Sequence, residues 1–559
     1  MLRLFLSRVG QTIAVRFAAS NPWLGLYSVP FSRGAEESQP KTRSRNGEEL
    51  ERPEAGHDGP GGGTTMSDGR QDRSVVTRRT FLRATGAVAA GALAGEPLFS
   101  DPAWGAQVQG ETPEERAING AKALKKNLDL NILIWGQYFP GKMRELAAEF
   151  KEKTGIGIGA TQDLVTFQIP ARVMAEAMAK SSAFDIVHVG AGMIPTLVNA
   201  GYLQPLNKFM ERGGMVYRSV GPQSLQTHYH GENYGFVTDG NVMATGIRKD
   251  LFESSDERKR FADKHGKPMK WPDTWDDYLE LAKFFTRPPD LYGVSDLRSR
   301  NWGGTVWFLM QFYANGGFPF ADDMTPTLYT DAGRKAVEWY LATKAYSTKD
   351  IAVWGTTQNI PFVAGGGAAM WTYWTGAFGV TQRGDSKTKG KWSYGVVPGS
   401  RMTGRLVKRS VSEPVIALVI NRRGQNPEAA YWLSQYWSTP RHSTDIVADP
   451  KLQFHDAWAP EHMTDPRVLA KYTPQGVEAT KKCLEVTCPP ILLPGFLEFT
   501  DLLDKNLTDA FVGTISGDEA LRKTETEWRD VTKRIGTKLL VKDLPNYKAA
   551  FPKIDLPTS

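Results

Sequence analysis

Between residues 129 and 200, short apolar runs alternate with amphipathic stretches. Residues 129–135 read Asp-Leu-Asn-Ile-Leu-Ile-Trp and stop at Gly136, the mark of a short buried strand. From Gly141 to Thr154 the apolar positions Met143, Leu146, Ala147 and Phe150 recur at i, i+3, i+4 and i+7, with Gly155 as a stop. That spacing puts them on one face of a helix. A second strand is expected over 156–160. A helix from about Pro170 to Lys180 follows, with Val173, Met174, Ala177 and Met178 on one face. A third strand is expected over 184–189, then Gly190-Ala191-Gly192 and a helix opening near Pro195. Strands alternating with helices predict an α/β fold with parallel strands. Trp339, Trp432, Trp437 and Trp528 fall at helical spacings and are expected in the core.

Strand, Gly-x-Gly and helix also open a dinucleotide-binding fingerprint. Here Pro195 replaces the third glycine, and residues 204–207 supply no acid for a ribose. The simpler reading is that this turn, with Gly192 at its centre, aims backbone amides at the crevice where open α/β sheets bind ligands.

Composition changes the picture upstream. Thr77-Arg78-Arg79-Thr80-Phe81-Leu82-Arg83, followed by an Ala- and Gly-rich apolar stretch over 84–94 and by Ala103-Trp104-Gly105, reads as a twin-arginine export signal with its cleavage site. Arg78, Arg79, Phe81 and Leu82 carry it. Residues 1–65 lack helical or strand periodicity and are read as an over-long start or a disordered extension. Residues 66–105 are read as the signal and 106–126 as a linker. The remainder, about 450 residues, exceeds what one hydrophobic core ordinarily serves, so two lobes are expected. No later stretch has 18 consecutive apolar residues. The formal charge of +7 comes from bases scattered along the chain, which gives nucleic-acid binding no support. Two cysteines, Cys483 and Cys488, are expected to form a disulfide in an oxidising compartment. Their spacing excludes a Cys-x-x-Cys redox motif and haem attachment.

Six further segments, in this order, carry a resemblance. They are Phe184-Asp185-Ile186-Val187 with the run Ala200-Gly201-Tyr202-Leu203-Gln204-Pro205-Leu206; Tyr234-Gly235-Phe236-Val237-Thr238-Asp239-Gly240 with Arg248-Lys249-Asp250-Leu251-Phe252; Pro272-Asp273-Thr274-Trp275; Phe362-Val363-Ala364-Gly365-Gly366-Gly367-Ala368-Ala369-Met370; Asn426-Pro427-Glu428-Ala429-Ala430-Tyr431-Trp432; and Asp518-Glu519-Ala520-Leu521. Together, over about residues 127–540, they resemble the extracellular solute-binding proteins of carbohydrate ABC transporters (family 1 type). The resemblance implies a two-lobed α/β periplasmic-binding-protein fold, each lobe a sheet flanked by helices, closing on a ligand. Lobe 1 would comprise 127–239 and 415–465, lobe 2 240–414 and 466–540, and 541–559 would be a tail. Crossings are expected near 233–249, 408–422 and 465–473. The implied protein is a monomer without a cofactor, passing a carbohydrate or polyol to an inner-membrane ABC permease after export by the Tat translocase. Where many relatives have Gly-Trp-Gly, this chain has Val411-Ser412-Glu413-Pro414.

Sugars need flat aromatic faces and oriented donors and acceptors. Trp135, Trp302, Trp371 and Trp374 are the expected stacking groups, and Gln137, Asp239, Asn241, Arg298 and Glu413 the expected polar ones. A polyamine held through cation–π contacts, or ferric ion, remains an alternative cargo on the same scaffold. An exported enzyme is the third reading. No Gly-x-Ser-x-Gly, His-Glu-x-x-His or phosphate loop supports it, and no metal site or catalytic pair is selected.

Overall fold

The computed structural model describes residues 107–136, 141–164, 168–215, 218–300, 304–412, 415–452 and 455–553. The export-signal residues Arg78, Arg79, Phe81 and Leu82 lie outside these, as do the segments 1–65 and 66–105. In chain order the main strands are β1 (Leu128–Trp135), β2 (Ile156–Leu164), β3 (Ile186–Gly190), β4 (Gly235–Asp239), β5 (Met243–Arg248), β6 (Tyr292–Val294), β7 (Ala368–Trp374), β8 (Trp392–Gly395) and β9 (Ile416–Ile420).

They form two sheets. The first has the order β2-β1-β3-β9-β4, with β1 parallel to β2 and β3, and β9 antiparallel to both β3 and β4. All five residues of β9 are buried, as a central strand covered on both faces requires. The second sheet runs β8-β5-β7-β6. It is mixed: β5 is antiparallel to β8 and β7, while β6 and β7 are parallel.

The predicted helix is present as Lys142–Thr154. It ends at Gly155, whose φ of 77° is the left-handed conformation glycine supplies at a helix end. Met143, Leu146, Ala147 and Phe150 are its buried face. The next helix, Ile169–Met178, buries Val173, Met174 and Ala177, but Met178 is exposed at its end. Against the first sheet lie Lys142–Thr154 and Pro427–Ser438, and Pro113–Ala123 packs on both of these helices. Gly120 lets Pro113–Ala123 and Pro427–Ser438 touch: a Cβ there would sit 2.3 Å from the Trp432 ring. Trp437 Nε1 donates to Met143 O (3.0 Å), so the indole locks two helices together. Trp339, Trp432, Trp437 and Trp528 are all buried, as their spacing predicts.

In the second half, helix Trp275–Phe285 opens with a capping box between Thr274 and Asp277. Helix Gly304–Ala314 is buried on every side, consistent with its apolar circumference, and packs against Asp331–Ala342 and Phe496–Val512. The chain stays folded beyond the expected boundary at residue 540. Helix Thr537–Ala549 buries Leu540, Asp543, Leu544 and Tyr547, so 541–559 is not a tail throughout. Its Tyr547 hydroxyl meets that of Tyr313 (2.9 Å), while Asp543 Oδ2 accepts from Tyr229 Oη (2.5 Å).

The cysteines correct another expectation. Both are buried thiols, not partners in a disulfide. Cys483 lies in the last turn of helix Pro474–Glu485, and Cys488 on the short strand Thr487–Cys488 that pairs with Ser410–Val411. The chain changes from helix to strand between them and presents the two side chains from different elements. Burial pushes the Cys483 thiol up to about 12.

Candidate ligand-binding site

Strand direction brings the candidate residues to one edge. In the first sheet β1, β2, β3 and β4 all point the same way, with β9 reversed among them. Their C-terminal ends are Trp135, Gly190 and Asp239, and Ile416 of β9 pairs with both of the last two. The Trp135 ring meets the edge of the His188 ring at 5.7 Å. His188 Nε2 lies 2.7 Å from Thr238 Oγ1, whose own proton goes to Ile416 O (3.2 Å), so Nε2 carries the hydrogen. Full burial holds His188 down to about 3, neutral at physiological pH.

The chain leaves this sheet through Asp239-Gly240-Asn241. Asn241 has φ of 45°, the left-handed region that asparagine tolerates better than most residues. Asp239 Oδ1 accepts the Asn241 amide (3.0 Å), fixing the turn, and also the Asp456 amide (2.9 Å). Gly240 sits beneath Trp458, where a Cβ would approach to 2.9 Å. The return path runs alongside: Val242 bridges Ser412, and Ser410 Oγ donates to Met243 O (2.7 Å).

From the second sheet β7 delivers Trp374 and the turn Thr375–Ala377. Trp374 is partly exposed, lies edge-on to Trp307 (5.6 Å) and Tyr373 (5.0 Å), and its Nε1 has no hydrogen-bond partner among the described residues. The Thr375 hydroxyl and the Gly376 amide (2.8 Å) both donate to Asp456 Oδ1.

Three expected ligand groups are placed differently. Trp371 is fully buried, stacked on Tyr373 (4.7 Å) and packed against Phe378 and Trp392. It belongs to the core because it points to the opposite face of β7 from Trp374. Arg298 is also fully buried. Its Nη1 donates to Leu297 O (2.8 Å), Nη2 lies 3.6 Å from Asp296 Oδ2, and the guanidinium covers the Tyr340 ring at 4.4 Å. It sits inside the second lobe, not on an open wall. Gly192 is covered by Phe496, leaving its turn no open face toward a crevice. Gln137, Trp302 and Glu413 lie outside the described residues.

Sequence reasoning missed His188, Asp456 and Lys471. A lone histidine in the apolar run of β3 was a readable signal; residues 447–463 show no period that would have marked Asp456. Asp239 and Asp456 are both buried. Burial, then the neighbouring Asp456, raises the Asp239 carboxyl well above the usual range, and burial pushes Asp456 up to about 6. Lys471 is brought down to about 8 by burial, its Nζ bonded to the carbonyls of Val447 (2.8 Å) and Asp449 (2.9 Å). Among the described residues no three His, Cys, Asp or Glu side chains converge as a metal-ligand set. A near-neutral set of acceptors, donors and an indole suits a hydroxyl-bearing ligand.

Comparison with known proteins places this geometry. The sequence profile of a family described as bacterial extracellular solute-binding protein matches residues 137–442. Among solved structures, the chain is similar to an ABC-transporter solute-binding protein of Agrobacterium radiobacter K84 in complex with ribitol. The two share 19% identity at a TM-score of 0.62, over 73% of this chain and 100% of that one. A maltose-bound MalE3 of T. maritima shares 14% identity at a TM-score of 0.61, over 72% and 99% of the respective chains. An Agrobacterium vitis S4 solute-binding protein with bound D-mannitol shares 18% at 0.58, over 73% and 99%.

Proposed function

The chain belongs to the bacterial extracellular solute-binding protein family, and from that premise we propose that it binds a carbohydrate or polyol between its two lobes and hands it to an inner-membrane ABC permease. The observation that carries this reading is that Asp456 ties the end of β4 at Asp239 in one sheet to the Thr375-Gly376 turn that follows Trp374 in the other, beside paired crossing segments. A ligand held there touches both lobes, so its binding can favour closure. Ribitol, maltose and D-mannitol in the structural neighbours support the ligand class. The protein acts as a binder and not an enzyme, in the periplasm, as a monomer, after export through the twin-arginine route. No described helix is long and apolar enough to cross a membrane.

The cationic cargo is the weaker alternative. A polyamine needs ionised acids, whereas burial raises both Asp239 and Asp456, and Asp456 raises Asp239 further. Calorimetric titration with a panel of polyols, mono- and oligosaccharides and polyamines decides between them. Saturable binding of at least one neutral member is expected. Binding of polyamines alone would overturn the proposal.

A further inference from the structure

The hairpin that leads into β4 is fastened to the last helix of the chain, 314 positions further on. His228–Tyr229 pairs with Glu232–Asn233, which leaves His230 and Gly231 as the whole of the turn. Their φ values of 50° and 81° are both left-handed, as the twist of a two-residue hairpin turn demands. Glycine takes that region freely, whereas few other residues enter it. The imidazole placed there lies against the Tyr229 ring (4.2 Å), with Nε2 2.9 Å from Asp543 Oδ1. Asp543 is fully buried on helix Thr537–Ala549, and its Oδ2 takes the Tyr229 hydroxyl proton (2.5 Å). Nearly one helical turn on, Asn546 Nδ2 donates to His228 O (3.2 Å).

The hairpin itself belongs to the first lobe. Asn199 Nδ2 donates to Tyr229 Oη (2.8 Å), Asn207 Nδ2 to Gly231 O (3.0 Å), and the Leu206 amide to Asn233 O (2.8 Å). The helix is anchored in the second. Tyr547 meets Tyr313 on helix Gly304–Ala314, and Trp307 of that helix donates Nε1–H to Thr372 O on β7 (3.1 Å). Phe318 packs on Tyr547 and on Phe551 (5.2 Å each), and Lys548 pairs with Asp322. One helix therefore touches both lobes, Asp543 and Asn546 on one side of the join and Tyr547, Lys548 and Phe551 on the other.

Its place matters. Asp456 joins the sheets at the crossing itself, where turning one lobe on the other displaces atoms least. The hairpin enters β4 at the other end, Gly235, about 13 Å from Asp239 at about 3.3 Å per residue. A tie there acts on a longer arm. It is also a tie that can open, because water replaces Tyr229 at the exposed carboxylate and the net cost of the exchange is modest.

We propose that the terminal helix is an interlobe strap: held in the second lobe by Tyr547, it grips the first lobe's hairpin through Asp543, and the lobes part only when Tyr229 and His230 leave that carboxylate. The strap rests on the two-lobed arrangement and not on the identity of any ligand.

Pulsed dipolar spectroscopy of the purified protein, without added sugar, reads it. Spin labels go on cysteines replacing Glu152, on helix Lys142–Thr154, and Lys259, on helix Ser255–His265; both positions are exposed, while Cys483 and Cys488 are buried. In Asp543→Ala the ratio of long to short distances should rise at least about tenfold, the order of one lost buried hydrogen bond. Tyr229→Phe combined with His230→Gly removes both groups from the carboxylate, suits the turn and leaves the helix intact. It should produce the same rise. Wild-type distances in that double variant overturn the strap, whether or not Asp543→Ala folds. A rise that comes with lost hydrogen-exchange protection in β9 is unfolding, and overturns it too. No readout involves ligand affinity, so failure here leaves the sugar-binding proposal standing, and failure of the titration there leaves the strap.

Discussion

Gly192 and Phe496 meet face to face: a Cβ added to Gly192 would lie 2.8 Å from the phenyl ring. Gly192 is the middle residue of the helical turn after β3, and Phe496 opens the helix Phe496–Val512 that packs on the second half of the chain. The absence of a side chain is what lets these halves touch. Gly192→Ala is therefore expected to cost about 1–3 kcal/mol in denaturant unfolding. In a Phe496→Ala background the same substitution should cost almost nothing. An equal penalty in both backgrounds would show that the contact is not the cause.

Trp374 and Trp371 should separate binding from stability. Trp374→Ala is expected to weaken the native ligand at least tenfold in calorimetry, about 1.4 kcal/mol. Trp371→Ala should instead lower unfolding stability by about 3–5 kcal/mol, the cost of emptying a large buried ring. Reversed outcomes would put the ligand on the wrong face of β7.

His462 gives stability a pH signature of its own. Its Nδ1 accepts the amides of Trp458 and Ala459 (3.3 Å each), so the proton sits on Nε2, facing Ser443 Oγ (3.1 Å). Burial holds it down to about 3. A depressed value means that its contribution is complete above the unfolded value of about 6.5 and lost as pH falls toward 3. His462→Asn should be less stable than wild type at pH 7, yet lose less on going to pH 4. Chemical denaturation at the two pH values measures both.

The terminal helix is structural. Deleting residues 541–559 removes buried Leu544 and Tyr547 and the bond from Tyr229 to Asp543. At about 1.5–3 kcal/mol for each apolar side chain, the truncated chain should lose at least about 3 kcal/mol. Tyr229→Phe alone should cost about 1–3 kcal/mol. A truncation with wild-type stability would restore the tail reading.

Export is expected to depend on the paired arginines. Changing both Arg78 and Arg79 to Lys should leave unprocessed precursor in the cytoplasm. Fractionation and mass measurement check it, and normal maturation of the double variant would refute the signal.

How much of this was legible depended on periodicity. The helix carrying Met143, Leu146, Ala147 and Phe150 was readable because its spacing is regular, and the third strand because its run is short and apolar. The side of β7 was not readable. Ala-Ala-Met-Trp-Thr-Tyr-Trp is apolar almost throughout, and a strand with no polar alternation gives no parity from which to tell Trp371 from Trp374. Asp239 was selected from its place after an aromatic strand, but its partner was invisible. Asp456 lies 217 positions away in a stretch with no period, and pairings at that range are fixed by topology alone. The two cysteines misled because closeness in sequence says nothing of a change from helix to strand between them.

The place of β9 has a consequence for how the molecule is made. It lies between β3 and β4, and its flanking Asn421 bonds back across 240 positions to Ser181. Until residue 420 has been synthesised, β3 and β4 are two unsatisfied edges with the whole segment between β5 and β8 still to be accommodated. Such long-range closure makes for slow folding and leaves edges open to wrong partners meanwhile. A nascent chain of this kind gains protease resistance late and all at once, and the cell that makes it must shelter those edges until β9 arrives.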